Sequence, residues 1–191
     1  MKTVFFDIDT QIDFVYPAGA LYVPGAEHIL PLVGELNRRA PVLISTMDAH
    51  TEDDPEFQIY PHHCVVGTTG QRKPCITLVD QHAIAASAST AGSETDIRQW
   101  ILEKQKLDCF SSPHLEPLLA RLNADRYVVY GVVTEICLRC AAFGLLKTGK
   151  RVEIATDAVK ALDEQKAREM FPSFTAAGGS LARSASILAS L

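Results

Sequence analysis

With 191 residues, 47% of them hydrophobic and 21% charged, the chain has the length and composition of one compact domain with a full core. Its 23 acidic and 18 basic residues are interspersed and leave a formal net charge of −5. That excludes a basic stripe for a nucleic-acid backbone and a polybasic tail for an anionic membrane, and it favours a small-molecule ligand.

The amino-terminal stretch MKTVFFDIDTQIDF meets acidic residues by position 7, so it lacks the long apolar region and small-residue cleavage site of a signal peptide. No apolar run reaches membrane-spanning length. The five cysteines, at 64, 75, 109, 137 and 140, are odd in number and irregularly spaced. They read as reduced thiols of a cytoplasmic protein, not as a disulfide framework.

Along the chain, strand-length apolar runs alternate with segments of helical period. The runs are TVFFDI (3–8), PVLIST (41–46), QWILEK (99–104), RYVVYGV (126–132), RVEIATD (151–157) and ARSASIL (182–188). They are mostly continuous rather than alternating, the mark of strands buried on both faces. Helical spacing runs over 26–40, 112–124, 134–149 and 163–178, where Pro31, Pro117 and Pro172 predict late starts or early breaks. The alternation predicts an α/β protein, a three-layer α/β/α arrangement with a mostly parallel central sheet of about six strands, spanning 1–191 as a single domain.

Two stretches break the rhythm. Residues 47–76 form a long loop carrying three of the six histidines, and long loops in compact domains are usually functional or disordered. Residues 81–97 are small and polar and read as a mobile insertion.

Ligands of open α/β sheets bind beyond the carboxyl ends of the strands, which singles out the polar residues that follow each run. Asp9, Asp48, His50, Lys104 and Cys137 all meet that test. Cys137 opens a helix, where the helix dipole favours a thiolate, and Lys104 could lower its pKa further. Asp9 could take the thiol proton and return it to a leaving amine. Asp48, His50, His62 and His63 offer nitrogen and oxygen ligands for one divalent ion. Each residue has an ordinary reading beside the chemical one: a buried small cysteine, a lysine reaching solvent, an aspartate capping a turn, surface histidines.

Cys137 and Cys140 also form a Cys-x-x-Cys spacing. Leu138 and Arg139 between them are not the Gly or Pro usual in redox pairs, and a second zinc-ligand pair is not evident. Cys140 falls one turn deeper, where a small apolar side chain packs.

Several motifs carry a resemblance when taken in order: DTQIDF with PAGALYVPGA, STMDAH, PHHCVVGTTGQ, ILEKQKLDCF, YGVVTEICLRCAAFGLLKTG and DAVKAL. Over nearly its whole length the chain resembles the isochorismatase-like cysteine hydrolases, and among them the nicotinamidases. The resemblance implies a catalytic triad of Asp9, Lys104 and Cys137. It also implies a divalent metal held by Asp48, His50 and His63, with zinc foremost and iron or manganese as alternatives; His62 falls one residue out of register.

The implied reaction is hydrolysis of nicotinamide to nicotinate and ammonia through a Cys137 thioester. Backbone N–H groups of Val133 and Cys137 would form the oxyanion hole, Phe14 and Val132 would contact substrate, and a non-proline cis peptide is implied between Val132 and Val133. Two positions depart from the pattern. Ala49 stands where the family usually has a ring-packing aromatic, and GVVT replaces the commoner Gly-Val-Ala-Thr, adding methyls near the oxyanion hole. Alternatives of different class are a relative acting on a carbamoyl compound or isochorismate, and a non-enzymatic Cys-x-x-Cys module. The family ranges from monomers to higher oligomers, which leaves a homo-oligomer open.

Overall fold

In the computed structural model, which describes residues 1–85 and 97–191, the apolar runs lie side by side as one parallel sheet. Its strands are β1 (Thr3–Ile8), β2 (Leu43–Asp48), β3 (His82–Ile84), β4 (Gln99–Lys104), β5 (Arg126–Val132), β6 (Arg151–Lys160) and β7 (Ser180–Ala182). The order is β3-β4-β2-β1-β5-β6-β7, and every pairing is parallel. The chain enters at the centre with β1, adds β2 beside it, sets β3 at the edge and fills the gap with β4, then returns to β5 beside β1 and builds outward the other way. The reversal between β1 and β5 opens a crevice at their carboxyl ends.

Two apolar layers sandwich the sheet. On one face pack the helices α1 (Ile12–Val15), α2 (Leu30–Arg39) and α6 (Ser184–Ala189), through Phe14, Val33, Leu36 and Ile187. On the other pack α3 (Leu115–Leu122), α4 (Arg139–Leu146) and α5 (Glu164–Ala176), through Leu115, Ala142, Leu145 and Phe174. The period of two decides the face: Val4, Phe6 and Ile8 of β1 join the second layer and Phe5 the first. With helices on both sides, all six β1 residues are buried. Gly131 lets β5 come against β1, since at its φ of +112° a Cβ would lie 2.2 Å from Ile8 O.

Strands β1, β4 and β5 coincide with their sequence predictions, but the carboxyl-terminal segment does not. Residues 182–188 were expected as a strand; instead β7 ends at Ala182 and α6 begins at Ser184. The helix is started from outside its own sequence. Asp157 on β6 accepts the Ser184 N–H at 2.8 Å through Oδ1 and the Ser184 hydroxyl at 2.9 Å through Oδ2, so the capping carboxylate is 27 residues away in sequence. Strand β2 is displaced by two residues from 41–46 because its pairing with β4 runs on to Asp48 opposite Lys104. Of the expected insertion, residues 82–84 form the edge strand β3, while 86–96 lie outside the described residues. Among the described residues no helix is long and apolar enough to cross a membrane.

Candidate active site

The register of β2 against β4 sets the first contact. Asp48 and Lys104 are direct partners on neighbouring parallel strands, so their side chains leave the sheet together. The Lys104 ammonium donates to Asp48 Oδ1 and lies 2.9 Å from Asp9 Oδ2 and 4.0 Å from Cys137 Sγ. Asp9 stands just past β1 at a φ of +46°, fixed by two bonds to Thr46 on β2. Its N–H donates to Thr46 Oγ1 at 3.1 Å, and that hydroxyl donates to Asp9 Oδ1 at 2.5 Å. All four charged or thiol groups are at least 94% buried.

Cys137 arrives from β5 through a single π turn, Thr134–Leu138, that leads into α4. The peptide before that turn, Val132–Val133, is cis, as the resemblance implies. The expected lowering of the Cys137 pKa is not what the surroundings produce. Burial drives the thiol well above its ordinary range, and Asp9 and Asp48 add to the rise; Lys104 opposes them without reversing it. Desolvation, which sequence spacing does not reveal, outweighs the lysine here. Burial also raises the Asp9 carboxyl, making it a stronger base beside a thiol that needs one. Cys140 is half-buried on α4, less fully packed than its place one turn deeper suggests.

A second cluster adjoins the first through Asp48. Ligand atoms of Asp48, His50 and His63 lie within 4.8 Å of one another, and all three residues are buried. His50 Nδ1 is 2.9 Å from Asp54 Oδ2, and His63 Nδ1 is 2.8 Å from Pro61 O, so each ring donates outward through Nδ1 and turns Nε2 inward. His50 Nε2 is buried without a hydrogen-bond partner, 3.9 Å from Asp48 Oδ2. Burial alone would depress the His50 pKa, yet the neighbouring Asp48 and Asp54 carboxylates carry it up to about 9. The pocket therefore draws positive charge, and an inward nitrogen without a partner suits a divalent cation. His62 stacks on Phe57 at 4.2 Å, outside the cluster, in keeping with its shifted register.

Between the two clusters lies a cavity lined by Asp9, Phe14, Asp48, Glu56, Tyr60, His63, Val132, Val133 and Cys137. Its free space is about 20 Å³, room for a single water. Leu107 and Leu162, both partly exposed, stand at its wall. Phe14 and Val132, the expected substrate contacts, both line it. Ala49 does not: it faces a separate cavity with Ser111, Ser112 and His114. The aromatic walls are Phe14 and Tyr60.

Tyr60, Glu56 and Asp54 escaped the sequence reading. Asp54 caps the short turn Pro55–Gln58 by accepting the Glu56 N–H at 2.9 Å, and that turn sets Glu56 Oε1 3.8 Å from His63 Nε2. An aspartate before a proline is a helical-start signal that would have located the turn.

A family model described as "Isochorismatase domain" matches residues 3–186. The chain belongs to the isochorismatase domain family. It is an isochorismatase-like hydrolase. A nicotinamidase of Acinetobacter baylyi is 24% identical to it, over 82% of this chain and 80% of that protein. The pyrazinamidase of Pyrococcus horikoshii, solved in complex with zinc, superposes with a TM-score of 0.78 at 25% identity, covering 96% of this chain and 99% of that one. The L. infantum protein PnC1, solved with nicotinate, gives a TM-score of 0.80 at 23% identity over 96% and 93%.

Proposed function

We propose that this hydrolase is a cysteine amidohydrolase of the nicotinamidase kind, one domain over 1–191, converting nicotinamide and water to nicotinate and ammonia. The supporting observation is the junction of two clusters across one mostly apolar cavity: Asp9, Lys104 and Cys137 at one end, Asp48, His50 and His63 at the other. The resemblance to a nicotinamidase and to a zinc-bound pyrazinamidase supports the same reading.

In this reading Asp9 takes the Cys137 proton while Lys104 steadies the negative charge that remains. The thiolate adds to the carboxamide carbon, and the N–H groups of Val133 and Cys137 hold the oxyanion. Collapse breaks the C–N bond as Asp9 passes its proton to the leaving nitrogen, releasing ammonia and leaving a thioester. Asp9 then deprotonates a water that attacks the thioester carbon; the acid leaves and Cys137 recovers its proton. Asp48, His50 and His63 would hold the divalent ion, zinc foremost, with Glu56 close enough to complete the donor set. Such an ion supplies a Lewis-acid anchor for a ring nitrogen. Phe14 and Tyr60, which line the same cavity, would pack against the ring.

Ammonia release from nicotinamide, pyrazinamide and small carbamoyl compounds, measured with and without chelator, tests the reading. Turnover of nicotinamide by the wild type, lost in Cys137→Ala and reduced by chelator, is expected. Turnover of carbamoyl compounds alone would overturn the substrate, and activity in Cys137→Ala would overturn the mechanism.

A further inference from the structure

Three polar residues of DTQIDF, Thr10, Gln11 and Asp13, have no part in that mechanism, and none lines the cavity; Thr10 is engaged with Asp7 and Lys73, which leaves Gln11 and Asp13. Gln11 is fully buried and precedes α1, the position where a side chain ordinarily caps its own helix; it makes no such bond. Its amide reaches two other segments. Nε2 donates to Asp48 O at 2.8 Å and to Gln71 O at 2.7 Å, and Oε1 accepts the Asp48 N–H at 2.7 Å. Both backbone groups of Asp48 are therefore held by one side chain, which ties them to the loop that follows His63.

Asp13, one turn position on, does the same for His63. Its Oδ2 accepts the N–H of Cys64, the next residue, at 2.7 Å, and Oδ1 accepts the Ala20 N–H at 3.0 Å. Cys64 has a φ of +47°, a conformation that needs support in a residue other than glycine. Backbone bonds reinforce the seam: Ile12 N–H to Arg72 O at 2.9 Å, Asp13 N–H to Gly70 O at 3.0 Å, and a bridge between His50 and Val65. The loop comes so close that a Cβ at Gly70 would lie 2.0 Å from Asp13 Oδ2.

We propose that Gln11 and Asp13 are positioning residues for the metal cluster: together they fix the strand end carrying Asp48 and His50 against the loop carrying His63. The proposal rests on the metal reading above. Groups that orient metal ligands from behind typically contribute 10- to 100-fold in affinity, and these two act through the backbone of the ligand-bearing segments.

The test measures zinc dissociation constants of the full chain by competition with a chelating dye, alongside melting temperatures of the chelator-treated protein. Gln11→Glu places an oxygen against two carbonyls, and Asp13→Asn places an amide against an N–H, each with almost no change of shape. Both are expected to weaken zinc about 10- to 100-fold. Gly70→Ala leaves both side chains intact but displaces the Asp13 carboxylate, so it should weaken zinc in the same range even if the other two fold poorly. Asn37→Ala is the control: it removes a buried polar group bonded to Asp7 and Tyr130, away from the cluster, and should lower the melting temperature without changing zinc affinity. Zinc affinities within twofold of wild type in all three variants, or an equal loss in Asn37→Ala, would overturn the proposal. His50→Ala separates the two readings. If the wild type binds zinc and His50→Ala does not, the metal reading stands and the variants decide the clamp. If the wild type binds none, both fall.

Discussion

Replacing Lys104 by Met tests whether one buried cation holds the site together. The ammonium bonds to Asp48, lies 2.9 Å from Asp9, and is itself only 4% exposed; the two carboxylates are 2% and 1% exposed. Methionine nearly conserves the volume, so the change is one of charge. Removing one partner from a buried ion pair costs about 3–5 kcal/mol, because the remaining charge stays desolvated. Here two carboxylates are left, which places the expected loss at the upper end of that range, a large share of the roughly 5–15 kcal/mol that holds a domain folded. At about 2–4 °C per kcal/mol for a chain of this size, the melting temperature should fall by roughly 10–20 °C. The assay is urea unfolding of chelator-treated protein, with Asp9→Asn and the double variant in a cycle. The double variant carries one uncompensated carboxylate instead of two and should be destabilised by less than the sum of the singles. Lower pH should narrow the gap, since carboxylates without their cation bind protons more readily in the folded chain than in the unfolded one. A Lys104→Met chain within about 1 kcal/mol of wild type, at unchanged denaturant slope, would refute the idea that this ammonium compensates buried charge.

The two cysteines of the Cys-x-x-Cys spacing should separate cleanly: Cys137→Ala is expected to reduce ammonia release to background, whereas Cys140→Ala should leave it near wild type. Equal losses with the fold intact would contradict the assignment. Tyr60→Ala removes one aromatic wall of the cavity and should raise KM for ring amides about 2- to 10-fold while sparing a small linear amide. Stability should also decline in alkali. Burial pushes Cys109 up to about 12 from the ordinary 9.0, and it moves Cys64 and Cys137 upward as well. Above pH 9 the unfolded chain loses these protons and the folded chain keeps them, so each thiol contributes a fall of about 1.4 kcal/mol per pH unit until its folded value is reached. Urea unfolding followed from pH 9 upward would show it, and a flat profile would disprove it.

Strands buried on both faces were legible because their central residues form continuous apolar runs. Hence TVFFDI, QWILEK and RYVVYGV could be bounded to the residue. Where the decisive contact is distant, local sequence does not specify the element. ARSASIL has only a few large apolar residues and no capping residue of its own that bonds its first turn, so nothing local distinguishes strand from helix. Asp157 makes the choice from β6. The two-residue shift of β2 has the same origin, since strand ends are fixed by partners and not by composition.

The site shows a similar division. Residues at strand ends converge because the sheet is parallel, and that much follows from order alone. What order could not convey is that Asp48 belongs to both clusters. Its Oδ1 takes the Lys104 ammonium while its Oδ2 faces His50, so a cation bound among the histidines and the charge on the lysine act on one carboxylate. That sharing also bears on the raised Cys137 thiol. Asp48 is one of the groups opposing thiolate formation, and a divalent cation beside it would offset that opposition without touching the sulfur. A metal placed to orient a ring would then favour the nucleophile as well, through a residue that the spacing alone identifies only as a ligand.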